Sequence, residues 1–403
     1  MAEAANPSRP QRVLLGVTGG VAAYKCAELT RLLVKNGYDV QVVMTEAATR
    51  FVAPATFQAL SGRPVFTDLW DSRVDNHMAH IDLGRGADLI LVAPASADFL
   101  FKLAHGAADD LLSTLCTARD CPLLVAPAMN RQMWDNPPNQ RNVNLLRQDG
   151  IAILGPDAGE QACGETGFGR MLEPEVLFEL IEATFQPKVL RGVRVLVTAG
   201  PTFERIDAVR GITNPSSGKM GYALAKAAME AGASVTLVSG PTALAAPFGV
   251  KRIDVEGARQ MLAAVTSEVS KTDVFISVAA VADYHPVSPS EQKLKKTGSN
   301  LVLEFAQNPD ILATVAGLAE PPFCVGFAAE SENLLEYAEQ KRRRKKLPLL
   351  VANQVQDAIG ADDNEVHLLD DHGQHLLPRA PKQAIARAII SHTAKLYREY
   401  HKP

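Results

Sequence analysis

The sequence predicts an α/β protein of two Rossmann-like domains, each a mostly parallel sheet flanked by helices. Three observations lead there. Short apolar, β-branched runs alternate along most of the chain with segments whose apolar residues repeat at helical spacing. The order glycine turn, helix, cap, strand occurs twice, near residues 18 and 218. At 403 residues the chain is also too long for one ordinary core. A polar break at Gln186-Pro187-Lys188 places the expected boundary between domains 1–190 and 191–403.

Arg12–Val17 reads as a buried strand. Thr18-Gly19-Gly20 turns the chain into a helix with apolar residues at Ala23, Ala27, Leu29, Leu32 and Leu33, which Asn36-Gly37 caps. Asp39–Met44 is the next strand and completes a βαβ unit with room for a phosphate at the helix start. The turn is neither the GxGxxG fingerprint nor a Walker loop, so it points to phosphate or nucleotide and no further. Strands at Asp88–Ala93, Pro122–Ala126 and Ile151–Leu154 then alternate with helices at Leu111–Ala118 and Asn142–Gln148. The strand ends run into Pro94–Asp98 and Pro127–Asn130, small or polar residues of the kind that line the ligand crevice of an open parallel sheet. Ser96 and Asn130 are expected on that edge, together with the stretch Gln161–Leu172. That stretch carries Gly164, Gly167 and Gly169 and shows no helical or strand period, so it reads as a bendable flap or as an ordinary surface turn. Pro174–Phe185 closes the first half as a helix.

In the second half, strands are expected at Val193–Thr198, Ser234–Val238, Asp273–Val278, Cys324–Ala328, Leu347–Val351 and Val366–Leu369. Helices are expected at Tyr222–Glu230, from Asn308-Pro309-Asp310-Ile311 onward, at Asn333–Lys346 and at Lys382–Tyr400.

Composition narrows the function. A net charge of −4 gives no overall basic field for nucleic acid. Cys26, Cys116, Cys121, Cys163 and Cys324 are scattered without a CxxC pair or metal-ligand spacing, so neither a disulfide framework nor a zinc site is suggested, and a reducing cytoplasm fits. Met1–Gln11 lacks the apolar core of a signal peptide, and no apolar run reaches the length of a membrane span.

Four features carry chemistry. Ser217-Gly218-Lys219 before a helix suits a phosphate, although such a turn alone is weakly specific. In the basic run Lys341–Lys346, Lys341 and Lys345 stand one helical turn apart and, with Lys293, suit a triphosphate; the plain alternative is a solvated helix end. His80 precedes a strand, and if the strand began there Asp82 would face the same way as its orienter; a structural histidine is the alternative. Cys163 is the one cysteine set among glycine and charge, whereas the other four sit in apolar surroundings as small hydrophobes.

Several motifs in one order then resemble known families. Pro127–Trp134 resembles the PxMNxxMW motif of the homo-oligomeric flavin-containing cysteine decarboxylases, Pro94–Asp98 their PASANT motif, and Ala162–Met171 their substrate-recognition flap. Asn214–Gly221, Ala279–Tyr284, Lys293–Lys296, Asn308–Ile311 and Gly326–Glu330 resemble the CTP-dependent phosphopantothenate–cysteine ligases. The arrangement is similar to that of the bacterial bifunctional enzymes of coenzyme A synthesis. The resemblance implies that residues 191–403 activate 4′-phosphopantothenate with CTP and Mg²⁺ as an acyl-cytidylate, which L-cysteine then displaces. It implies that residues 1–190 decarboxylate 4′-phosphopantothenoylcysteine with FMN, through oxidation of the cysteine moiety, loss of CO₂ and reduction of an enethiol.

By the same resemblance Cys163 is the proton donor of that last reduction, His80 assists decarboxylation, and Asn130 binds the substrate carboxylate. Thr18, Gly19, Thr45, Ser96 and Met129 are the FMN candidates. Lys293 serves activation, and Asn214 and Arg210 serve the second half-reaction. Ala279, Asp283, Lys293, Asn308, Pro309, Asp310, Ile311, Phe327, Lys341 and Lys345 match CTP contacts, with Asp283 as the Mg²⁺ candidate. The resemblance also implies decarboxylase trimers and ligase dimers, hence a homo-oligomer up to a dodecamer. Departures are Asp98 and Phe99, where PASANT has asparagine and threonine, Pro215 where a basic residue is common, and Gln354 in place of an aspartate. Two other readings remain: a flavin oxidoreductase fused to a nucleotide-binding module, and a regulatory or nucleic-acid module using the basic run.

Overall fold

A computed structural model describes residues 10–71, 73, 79–161, 164–295, 301–330, 333–354 and 361–401. The chain divides into two compact units, Met1–Glu182 and Ala183–Pro403. The family of alternating runs in the first unit becomes β1 (Arg12–Val17), α1 (Ala23–Lys35), β2 (Asp39–Met44), α2 (Glu46–Thr49), α3 (Pro54–Ser61), α4 (Ala79–Gly84), β3 (Leu89–Ala95), α5 (Ala97–Ala104), α6 (Leu111–Thr117), β4 (Leu123–Pro127), α7 (Arg131–Asp135), α8 (Pro137–Gln148), β5 (Ala152–Ile153), β6 (Asp157–Glu160), β7 (Thr166–Arg170) and α9 (Pro174–Phe185). Strands β1 to β5 form one parallel sheet in the order β2-β1-β3-β4-β5. Every residue of β3 and β4 is buried, as continuous apolar strands covered by helices on both faces must be.

Two expectations need correction here. The glycine-dense stretch is not irregular throughout: β6 and β7 pair as an antiparallel ribbon. A side chain at Gly169 would stand 2.3 Å from the Met129 carbonyl, and one at Gly167 would stand 2.4 Å from the Arg131 side chain. The glycines therefore serve close approach within a strand, which removes the period-2 pattern that betrays strands. The segment around His80 is the helix α4 and not the start of a strand, so His80 and Asp82 point about 200° apart and do not form an oriented pair.

The second unit runs β8 (Arg194–Ala199), β9 (Phe203–Arg205), β10 (Gly211–Thr213), α10 (Lys219–Glu230), β11 (Ser234–Ser239), β12 (Lys251–Asp254), α11 (Ala258–Val269), β13 (Val274–Ser277), β14 (Tyr284–Pro286), β15 (Phe305–Gln307), α12 (Ile311–Ala316), β16 (Phe323–Glu330), α13 (Leu334–Arg344), β17 (Leu349–Gln354), β18 (Asp363–Asp370), β19 (Gly373–Pro381) and α14 (Lys382–Tyr400). Its main sheet has the order β12-β11-β8-β13-β16-β17-β18-β19, parallel up to β17 and antiparallel at the β18–β19 edge. The repeated glycine-turn pattern is thus realised twice, as β1-α1-β2 and as β8-α10-β11. Helices α10 and α14 close one face of this sheet over Val195, Val197, Ile276, Val325 and Val351, while α11 to α13 close the other over Leu196, Phe275, Cys324 and Leu350. Among the described residues no helix is long and apolar enough to cross a membrane.

Candidate active sites

In the first unit the parallel register brings the carboxyl ends of β1 to β4 to one edge, and the candidates follow directly on those ends. Thr18 is buried, and its hydroxyl donates to Pro94 O at 2.7 Å and accepts the Ser96 N–H at 3.0 Å, tying the ends of β1 and β3 together. Thr45, Ser96 and Asn130 each cap a short helix, accepting the N–H of Ala48, Phe99 and Met133 at 3.3, 3.2 and 2.9 Å. The N–H groups of Gly19, Gly20, Val21 and Ala22 find no acceptor among the described residues. A run of such donors at a helix start is what an anionic phosphate requires.

The β6–β7 ribbon hangs on the segment after β4. Met129 N–H donates to Gly169 O at 2.9 Å, and Arg131 N–H to Gln161 Oε1 at 2.9 Å. The Met129 sulfur accepts the Asn139 amide at 3.2 Å. Asn130 is therefore clasped between helix and ribbon. Cys163 lies outside the described residues, as does His77. His80 is partly buried with a buried Nδ1 that has no partner among the described residues. Burial pushes the thiols of Cys116 and Cys324 up to about 12 and raises those of Cys26 and Cys121 as well, so none of these four offers a ready thiolate.

In the second unit Ala279, Asp283, Asn308, Pro309, Asp310, Ile311, Phe327, Lys341 and Lys345 line one cavity of about 430 Å³. The loop after β13 is fixed from both sides. Ala282 N–H donates to the buried Thr202 hydroxyl at 2.9 Å, and the Asn308 amide donates to Ala282 O at 2.8 Å. Asn308 Oδ1 stays buried without a hydrogen-bond partner among the described residues. Helix α13 supplies two ammonium groups one turn apart. Lys341 donates to Phe327 O at 3.1 Å, and Lys345 pairs with Asp310. Burial pushes the Asp310 carboxyl up, but the Lys345 hydrogen bond and the Ala313 N–H outweigh it and hold the group below the ordinary range. Of the rest of the basic run, Arg343, Arg344 and Lys346 are exposed, as a solvated helix end would be, and only Arg342 is buried. Arg342 is buried between Glu339 and Asp371, and Arg343 also pairs with Glu339.

A second cavity of about 410 Å³ meets the first across Ala279 and Phe327. Asn214, Gly218 and Lys219 line it, as do Asn353, Asn364 and Lys382, which sequence spacing does not indicate. Gly218 caps α10 with φ +77°, a conformation that favours glycine, and the Asn214 amide donates to Ala280 O at 3.1 Å. Lys219 pairs with Asp362 at 2.6 Å. Lys293 is exposed and outside both linings, on a loop held from below. Leu294 N–H donates to Asp207 at 3.1 Å, and Arg210 spans Asp207 and Leu294 O. With Arg210 and three backbone N–H groups on it, the buried Asp207 carboxyl is held far below its usual range. Asp207 is the site-bordering residue that no motif announced.

Two open, mainly parallel α/β units, each with polar residues gathered at its strand ends, have the architecture in which ligands sit beyond the carboxyl ends of the strands. Residues 1–186 match the flavoprotein family, and residues 190–397 match the C-terminal domain of the DNA/pantothenate metabolism flavoproteins. The chain is 52% identical over 386 residues to the coenzyme A biosynthesis bifunctional protein CoaBC of Vibrio cholerae, covering 94% of this chain and 97% of that one. It is 45% identical over 400 residues to the protein of the same name from Escherichia coli, covering 97% and 98%. The crystal structure of the C-terminal domain of a CoaBC protein is similar at 40% identity and a TM-score of 0.46, covering 53% of this chain and 99% of that one. The chain belongs to the CoaBC family of bifunctional coenzyme A biosynthesis proteins.

Proposed function

We propose that the two units divide the two activities of the family between residues 1–190 and residues 191–403. The chain is a phosphopantothenate–cysteine ligase and a phosphopantothenoylcysteine decarboxylase. The observation that carries the assignment is the pair of cavities in the second unit that share Ala279 and Phe327. One is lined by two lysines and suits a nucleoside triphosphate. The other is lined by Asn214, Lys219 and Lys382 and suits a phosphorylated carboxylic acid.

In this reading CTP occupies the first cavity. Lys341 and Lys345 exchange their present partners for phosphate oxygens, and Asp283 holds Mg²⁺ together with the triphosphate. Asn308 Oδ1 accepts from an exocyclic amine such as cytosine carries, which supports the choice of base. Lys293 closes over the α-phosphate during attack by the 4′-phosphopantothenate carboxylate. Arg210 and Asn214 hold the acyl-cytidylate for the amine of L-cysteine.

In the first unit the flavin is FMN, with its phosphate on the N–H groups that follow Thr18 and Gly19 and its ring near Thr45, Ser96 and Met129. The flavin supplies a reversible oxidation of the cysteine moiety, which gives the electrons of the departing carboxylate a place to go. Asn130 binds that carboxylate, His80 assists its loss, and Cys163 returns a proton to the enethiol. The location is the cytoplasm. The assembly is a homo-oligomer, up to a dodecamer of decarboxylase trimers and ligase dimers, a reading supported by family resemblance.

Flavin content and product formation test this together. The purified protein should release FMN on denaturation, release pyrophosphate from CTP only with 4′-phosphopantothenate, and release CMP and evolve CO₂ once cysteine is added. Cys163→Ser should accumulate the oxidised enethiol. A flavin-free protein that consumes CTP normally would overturn the first half, and normal pyrophosphate release by Lys293→Gln would remove that lysine from its role.

A further inference from the structure

Away from both cavities, the β18–β19 edge of the second unit carries a cluster that neither activity uses. Asp370 ends β18, the turn at Gly373 reverses the chain, and His375 lies on β19 opposite Leu368. Helix α14 brings His392 to the same point from its buried face, beside Ile389, Ile390 and Thr393. His392 Nε2 lies 2.7 Å and His375 Nε2 3.2 Å from Asp370 Oδ2. Among the described residues these form the one group of three metal-ligating side chains whose donor atoms all lie within 4.8 Å of one another.

We propose that Asp370, His375 and His392 form a binding site for a divalent transition-metal ion of the zinc class. The donor set is two imidazoles and one carboxylate, the set such ions take with a solvent molecule in the remaining position. Tetrahedral bonds of about 2.0–2.1 Å separate neighbouring ligand atoms by about 3.3 Å. The Asp370–His375 distance already matches, and His392 needs to recede by roughly half an ångström. The carboxylate is oriented by an outer contact, because Asp370 Oδ1 accepts the His372 N–H at 2.7 Å. Its side chain is 1% exposed, so an ion there would be shielded from competing solvent, while His375 at 41% leaves a path in. The neighbouring charges are engaged elsewhere: His372 with Glu399, and Asp371 with Arg342. Both imidazoles present Nε2 to one point from different elements, which a single salt bridge does not require.

Zinc titration of the chelator-treated full-length protein, against a chromophoric competitor and without nucleotide, tests the site. The wild type should bind one zinc equivalent that is lost, or weakened at least about tenfold, in His375→Gln and in His392→Gln. Cobalt should give a visible d–d band in the wild type that is absent from both variants. CTP-dependent ligation and decarboxylation should be unchanged in His375→Gln, a half-exposed position whose replacement leaves the core intact. Equal zinc affinity and stoichiometry in the wild type and both variants would overturn the proposal and leave the cluster as an ion-pair network.

Discussion

The two strand-end sites are built on the same topology from opposite materials. In the first unit the polar side chains at the edge are neutral and already bonded to protein: Thr18 ties two strands, and Thr45, Ser96 and Asn130 cap three helices. What the edge offers a ligand is backbone N–H. In the second unit the edge offers ammonium groups from α13, held by Asp310 and Phe327 O. The difference follows the charge each site would meet. A flavin brings one phosphate and a large neutral ring, which fixed dipoles suit. A triphosphate concentrates charge, which mobile cations and a metal ion must offset.

That contrast can be broken at several points. The largest effect is expected at Gly169. In Gly169→Ala the new methyl meets the Met129 carbonyl, the ribbon leaves Asn130, and decarboxylation should fall by about a hundredfold or more, as misplacement by an ångström does. Ligation measured on the same protein should be unaffected; equal loss of both would mean that the ribbon supports folding and not the site. Next comes Lys345→Ala, which would remove the proposed charged hydrogen bond to phosphate and should raise the CTP KM by about 10–150-fold, leaving the flavin content intact. If the KM stays put, the triphosphate does not lie along α13.

Asp207→Asn should act through the loop that it anchors. We expect kcat for ligation to fall about tenfold with little change in the CTP KM, because the variant loosens the Lys293 loop and not the cavity. A KM effect alone would contradict that. The smallest effect concerns acid. The hydrogen bond from Arg342 foremost, and that from Arg343, hold the Glu339 carboxyl down at about 2 against an ordinary 4.5. A depressed carboxyl stabilises the fold above its unfolded value and ceases to do so as pH falls through its folded value. The melting-temperature gap between the wild type and Glu339→Gln should therefore be widest at neutral pH and narrow from about 4.5 towards about 2. A gap independent of pH would mean that the ion pairs do not set the stability of α13.

The nucleotide side of the second unit was legible because its residues fall in short motifs at strand ends: Ala279–Asp283 after β13 and Asn308–Ile311 before α12. Lys341 and Lys345 announced themselves by spacing. Lys382 did not, since it reaches the second cavity from the last helix. Asp207 was hidden for a similar reason: its bond to Leu294 spans 87 residues, and nothing local marks it. The caps Thr45, Ser96 and Asn130 had the right residue type, yet the helices they open are 4, 8 and 5 residues long, too short for apolar periodicity to register. The pairing of His80 with Asp82, which needed a strand there, failed because the six residues of α4 are open to either period. The ribbon was missed because Gly167 and Gly169 remove the side chains by which alternation is read.

The wall of Ala279 and Phe327 between the two cavities has a consequence for timing. An acyl-cytidylate is a mixed anhydride, and in bulk water its competitor is hydrolysis. If nucleotide and acid lodge on either side of this alanine and phenylalanine, as proposed, the activated carbon would form at the partition itself and have no distance to travel. Its lifetime would then be set by how soon an amine arrives and not by a search through solvent, so the yield per CTP would become a property of the partition.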